Sequence, residues 1–141
     1  MLPAARRAGV GIVVRVPLAS GLLSGKYTAE TTFAADDHST FNRHGEAFDQ
    51  GETFSGVDFE QGVRAAQEFA AAVPEGVTVP QAALAWIAEQ EGVSTVIPGA
   101  RNVEQARANA AAGDVRLDDG LDSEVVRIYD QYFRETVHPR W

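Results

Sequence analysis

Only two stretches of this chain read as β-strands, and that scarcity limits its possible folds more than any other feature. They are Gly11-Ile-Val-Val-Arg-Val16 and Val93-Ser-Thr-Val-Ile97, both short and rich in β-branched residues. The first is nearly continuous in apolar residues, the pattern of a strand buried on both faces of a parallel sheet. Pro17 and Pro98 follow directly, and proline cannot donate to a ladder, so both strands end there. Strand–helix–strand order predicts an α/β unit with parallel neighbours and helices outside. A sheet of this class ordinarily has about five or more strands, so both edges of this pair are expected to lie bare.

Helical signals fill most of the remainder. Leu2 to Ala8 is helix-like and closed by Gly9, as though the chain began inside a helix. Asp58 with Gln61 marks a capping-box start for an alanine-rich helix over 59–72, with Val63, Ala66 and Ala70 on one stripe. Thr78 is the expected N-cap of a second helix, with Pro80 in its first turn and Ala83, Leu84, Trp86 and Ile87 on a broad buried face. Asn102 can cap a helix over 103–111. A last amphipathic helix runs from Asp119 or Gly120 to Phe133, with Val125, Ile128, Tyr129 and Tyr132 on its apolar side, and a tail follows to Trp141. Residues 28–56 lack periodicity. A loop of roughly 30 residues is unusual in a compact domain and often functional.

Composition removes several function classes. The 141 residues contain no Cys, which excludes disulfides, thiolate nucleophiles and cysteine-ligated zinc or iron–sulfur sites. The three His, His38, His44 and His138, form no metal-binding spacing, and His38 and His44 with Asp36, Asp37 and Glu46 match no strong ligand pattern. A formal net charge of -8 repels phosphate backbones and weighs against nucleic acid as a partner. No secretory signal and no apolar run near the ~20 residues of a membrane span are present, so a cytoplasmic protein is expected.

Candidate chemistry gathers where the strands end, because ligands of α/β proteins bind beyond the carboxyl ends of their strands. After the second strand, Gly99 permits close approach, Arg101 offers a charge-assisted contact, and the helix behind Asn102 presents unpaired N–H groups to an anion. Gln105 and Asn109 share one face of that helix. The same residues also read as an ordinary turn, an N-cap and two solvated amides. After the first strand, Leu18 to Lys26 offers backbone N–H groups, the hydroxyls of Ser20 and Ser24, and one ammonium. Its glycine spacing matches neither the nucleotide-binding P-loop nor G-x-G-x-x-G. No nucleophile–base–orienter set stands out. Arg43 can clamp a phosphate if the long loop folds inward, and Phe33, Phe41 and Phe48 are candidates for one pocket wall.

Three ordered motifs carry a family resemblance. Val16-Pro-Leu-Ala-Ser-Gly-Leu-Leu-Ser-Gly-Lys-Tyr27 resembles the seventh-strand loop of aldo-keto reductases, S-P-L-x-x-G-x-L-x-G-K-Y. Residues 93–109 resemble their eighth strand and following helix, I-P-G-A-x-x-x-x-Q-x-x-E-N, and Gln81-Ala-Ala-Leu-Ala-Trp86 resembles the Q-x-A-L-x-W helix between them. The resemblance covers essentially the whole chain. It implies an incomplete (β/α)8 TIM barrel over residues 1–141, comprising the last two strands and their helices and entered inside the sixth helix, with 28–56 a long loop and 120–141 the terminal helix and tail.

It also implies NADP(H) as cofactor. Pro17, Leu18, Ala19, Ser20, Gly21 and Lys26 would border the nicotinamide–diphosphate part. Gly99, Ala100, Arg101, Gln105 and Asn109 would hold the 2'-phosphate and adenine, with Arg43 an additional candidate. Val16 departs from the motif's usual serine, and Ala108 stands where a glutamate usually holds the adenine amino group. The family's catalytic Asp, Tyr, Lys and His lie on or after strands that precede this portion, so no catalytic residue is assigned here. The expected role is the cofactor-binding part of a carbonyl reductase, acting on aldehydes or ketones once an N-terminal complementary segment completes the barrel. The alternative is a catalytically inactive fragment that binds protein or serves a structural role.

Overall fold

In the computed structural model, which describes residues 1–42, 46–47 and 53–140, the elements run α1 (Leu2–Arg7), β1 (Ile12–Arg15), α2 (His38–Phe41), α3 (Phe59–Ala72), α4 (Val79–Glu89), β2 (Val93–Ile97), α5 (Val103–Ala111), α6 (Asp119–Tyr132) and α7 (Arg134–Val137). Short 3-10 turns occupy Ala19–Ser24, Phe54–Gly56, Ala112–Asp114 and His138–Arg140. The chain divides into two units. One holds Met1–Leu18 with Val73–Asp118, the other Ala19–Ala72 with Asp119–Trp141.

The first unit is built on the expected parallel pair. β1 and β2 align Ile12 with Val93, Val13 with Thr95, Val14 with Val96 and Arg15 with Ile97. The register slips between Ile12 and Val13, and there the Ser94 hydroxyl accepts the Ile12 N–H at 3.2 Å. α4 begins with a reciprocal capping box: the Gln81 N–H donates to the Thr78 hydroxyl, while the Thr78 N–H donates to Gln81 Oε1. It buries Ala82, Ala83, Leu84 and Ala85 and packs against β2. This differs from the expected stripe, because Trp86 and Ile87 are only half-buried and alanines take the closest positions.

The strands are not buried on both faces. Ile12, Val14 and Val96 are half-buried, but on the other face Val13, Arg15, Thr95 and Ile97 are all exposed. Val13 keeps 58% and Ile97 55% of its surface accessible. The physical reason is the small sheet: among the described residues it has two strands, and an α/β strand is buried on both faces only when further strands and helices enclose it.

The second unit packs α3 along α6. Asp58 Oδ1 accepts the Gln61 N–H at 2.9 Å, the expected start of α3. That helix buries Phe59, Gly62, Val63, Ala65 and Phe69, leaving Ala66 and Ala70 at the margin of the stripe. Gly62 sits in the helix interior, where glycine costs about 1 kcal/mol relative to alanine. Its use is steric: a β-carbon there would lie 2.8 Å from Leu22 Cδ1. The long segment contains α2 and the Phe54–Gly56 turn. Its buried Asn42 donates to the Thr53 hydroxyl at 3.1 Å.

α3 and α6 are also clipped together by charge. The Tyr132 hydroxyl donates to Glu68 Oε1 at 2.5 Å, and Arg127 reaches Glu68 Oε2 at 2.7 Å and Glu124 at 2.8 Å. The Tyr132 hydrogen bond first, and then Arg127, hold the Glu68 carboxyl below the usual carboxylate range. A carboxyl lowered on folding contributes stability that is complete above its unfolded pKa and lost as pH falls through the folded one. We therefore predict that Glu68→Gln destabilises the chain at pH 7 and that this deficit shrinks on acidification below the ordinary glutamate range. Urea unfolding at several pH values measures it; a deficit that is constant with pH contradicts the assignment.

Candidate functional site

Both strands deliver the chain into tight loops at one end of the parallel pair, since Arg15 stands opposite Ile97. The loop after β1 is strained. Val16 lies at φ +50°, a region that β-branched side chains rarely enter, and Ala19 and Ser20 follow at +49° and +55°. Gly21 continues at +96° and Gly25 at +73°. Pro17 is buried, and Leu18, Ala19, Ser20 and Gly21 are half-buried. The Ser24 hydroxyl accepts the Lys26 N–H at 3.3 Å, leaving that hydroxyl inside the turn, while Lys26 itself is exposed.

The loop after β2 is tied to α5 by side chains. Asn102 Oδ1 accepts the Gln105 N–H at 2.8 Å, the expected cap. Gln105 Oε1 in turn accepts the Arg101 N–H at 2.7 Å, and Asn109 Nδ2 donates to the Gly99 carbonyl at 3.0 Å. The two amides that sequence suggested as ligand contacts therefore hold residues 99–102 against the helix. Val103 and Glu104 begin the first turn, where backbone N–H groups have no intrahelical acceptor. Glu104 places a carboxylate beside them, and the exposed Arg101 offers the opposing positive charge. No residue of α5 is buried, and a β-carbon on Gly99 would meet nothing within 4 Å. This donor set, Arg101 with the first-turn amides, suits an anion approaching over Gly99 and the exposed Ala100.

Other candidates are placed elsewhere. Arg43, His44 and Phe48 lie outside the described residues. Phe33 joins an aromatic cluster with Tyr27, Phe54 and Phe59, and Phe41 is 43% exposed. Tyr129 shares a 3.1 Å hydrogen bond with His138 Nδ1, and Tyr132 serves Glu68, so both act within the helical layer. No group of His, Asp or Glu among the described residues could hold a metal ion. No helix among them is long and apolar enough to cross a membrane. Sequence reading missed an open groove of about 270 Å³ in the first unit, walled by Leu84 and Ala88 of α4, by β2, and by Asn109 and Ala110 of α5. It missed it because small residues such as Ala88 and Ala110 carry no local signal of a groove.

Comparison with known proteins is consistent over nearly the whole chain. Residues 1–130 match the profile of the aldo/keto reductase family. A probable voltage-gated potassium channel subunit beta of Arabidopsis thaliana is 33% identical over 119 residues, covering 81% of this chain and 33% of that protein. An uncharacterized oxidoreductase of Bacillus subtilis is 32% identical over 135 residues, covering 94% of this chain and 35% of that protein. Among solved structures, a glycerol dehydrogenase from Gluconobacter oxydans superposes with a TM-score of 0.74 at 25% identity, over 94% of this chain and 38% of the enzyme. The chain thus spans about a third of the length of the curated relatives it matches.

Proposed function

The chain belongs to the aldo/keto reductase family, and from that premise we propose that it forms the NADP(H)-binding C-terminal part of a barrel that reduces aldehydes or ketones to alcohols. The observation that carries this reading is that the chain leaves β1 at Val16–Leu18 and β2 at Pro98–Gly99 from the same end of the parallel pair. In this reading Pro17 to Gly21 and Lys26 border the nicotinamide–diphosphate part, with the Lys26 ammonium opposing the diphosphate charge. Arg101 meets the 2'-phosphate, and Arg43 is a further phosphate contact. Gln105 and Asn109 act on the adenine side, chiefly by holding residues 99–102 so that Gly99 and Ala100 stay open to the ligand. When bound, the cofactor supplies the hydride delivered to the carbonyl carbon. The proton donor and the rest of the substrate pocket come from the segment that completes the barrel, and they set the substrate.

The test is cofactor binding by the chain co-expressed with a segment that supplies the rest of the barrel. Arg101→Ala removes one charge-assisted contact, worth about 1.5–3 kcal/mol, so NADPH affinity should fall roughly 10- to 100-fold while NADH affinity stays put. Gly99→Ala adds a methyl group that the protein itself accommodates freely. It should weaken NADPH binding without altering stability. Equal NADPH affinity in the parent and both variants would sink the assignment. A second reading, a catalytically inactive module that binds another protein, draws on the exposed Val13 and Ile97. A folded, monodisperse protein without any NADPH fluorescence change would favour it.

A further inference from the structure

We infer that Tyr27 and Leu22 are positioning residues that hold the loop Ala19–Lys26 in its ligand-ready shape before any ligand arrives; the inference rests on the reading of that loop as the diphosphate border. The loop's backbone does not favour this shape by itself. Ala19 and Ser20 both adopt positive φ, where residues with a β-carbon are disfavoured, so something outside the loop must impose the conformation.

Two contacts do so. Leu22 points down into the second unit's core, where it joins Phe54, Phe59 and Val63, and it occupies the space left by Gly62 on α3. Tyr27 closes the loop from its other end. Its phenol lies directly over Gly21, so that a β-carbon on Gly21 would stand 2.6 Å from the hydroxyl oxygen and 2.9 Å from Cζ. The Tyr27 ring is itself fixed, edge-on to Phe33 with centroids 5.3 Å apart and 6.2 Å from Phe59. Neither side chain carries charge or lies where the motif assigns a ligand contact. They act by restricting the loop: an ordered loop gives up less conformational freedom on binding, and the affinity gained is the benefit of preorganisation.

Two measurements on the 141-residue chain test this. Amide hydrogen exchange without cofactor reads the loop directly, with the amides of α6, in the same unit, as an internal control for folding. Tyr27→Ala and Leu22→Ala should each accelerate exchange at residues 20–26 at least tenfold while leaving α6 unchanged. Tyr27→Phe, which keeps the ring, should restore parent behaviour. NADPH titration by fluorescence should follow the same order, with affinity lost in the two alanine variants and retained in Tyr27→Phe. Unchanged loop exchange in both alanine variants would overturn the inference, as would Tyr27→Phe behaving like Tyr27→Ala, or unaltered NADPH affinity in a loosened loop. If the parent chain gives no NADPH signal, the cofactor reading is what suffers, and the exchange data still decide whether these residues order the loop. Should Tyr27→Ala also accelerate α6, Leu22→Val offers a milder perturbation of the other anchor.

Discussion

Val13→Lys is expected to leave the 141-residue chain as stable as before and to prevent the proposed barrel from forming. The two effects separate because Val13 is 58% exposed here, on the bare face it shares with Arg15, Thr95 and Ile97. A substitution at such an exposed position usually changes stability by no more than about 0.5 kcal/mol. In a closed barrel the same face points into a packed interior, where an unpaired ammonium costs several kcal/mol. Thr95→Lys, exposed and opposite Val13 on the same face, should behave alike. Urea unfolding of the chain alone, beside co-purification of its tagged form with the completing segment, measures both halves of the prediction. Normal assembly of both lysine variants would mean that this face is not the barrel interior.

The second large effect belongs to the other unit. Phe59→Ala should cost about 3–5 kcal/mol, the usual range for removing a buried phenylalanine. Phe59 is 7% exposed and stands within 5.1 Å of Phe54, 5.5 Å of Phe33 and 6.2 Å of Tyr27, centroid to centroid. Removing it leaves three rings and Val63 around a void. Against a typical total stability of about 5–15 kcal/mol, such a loss is a large fraction. Phe41→Ala is the control: at 43% exposure its removal should cost far less. A loss below about 1 kcal/mol for Phe59→Ala would show that the cluster collapses around the gap or contributes little to the folded state.

What the sequence made legible was local chemistry. Asp58, Thr78 and Asn102 all cap the helices they were expected to cap, because a cap is decided by residues three positions apart. Both strands were legible too, since β-branched runs closed by Pro17 and Pro98 need no distant information. The first run misled about burial: a continuous apolar strand says what its faces require, and not whether other strands are present to cover them. Distant pairings were hidden altogether. Nothing beside Tyr132 announces Glu68, 64 residues away, so the tyrosine read as packing surface. Likewise nothing near Gly62 in sequence announces Leu22, which fills the space beside it. At the candidate site, the motif residues could be named but their connections could not. Gln105 and Asn109 read as free amides, and only the folded loop shows their oxygen and nitrogen bound to Arg101 and Gly99.

The wide spacing of the two strands also sets an order of events during folding. The Ile12 N–H and the Ser94 hydroxyl that meet at the register slip are 82 positions apart. Closing a loop of that length costs about 4 kcal/mol of chain entropy by the logarithmic rule, against about 2 kcal/mol for a contact ten residues apart. β2 follows α4 after the turn at Glu91 and Gly92, so those two elements meet early and cheaply. β1 is therefore expected to arrive afterwards, onto a strand already seated on its helix. The rate of ladder formation is thus expected to follow topology more than the strand propensity of Ile12, Val13 and Val14.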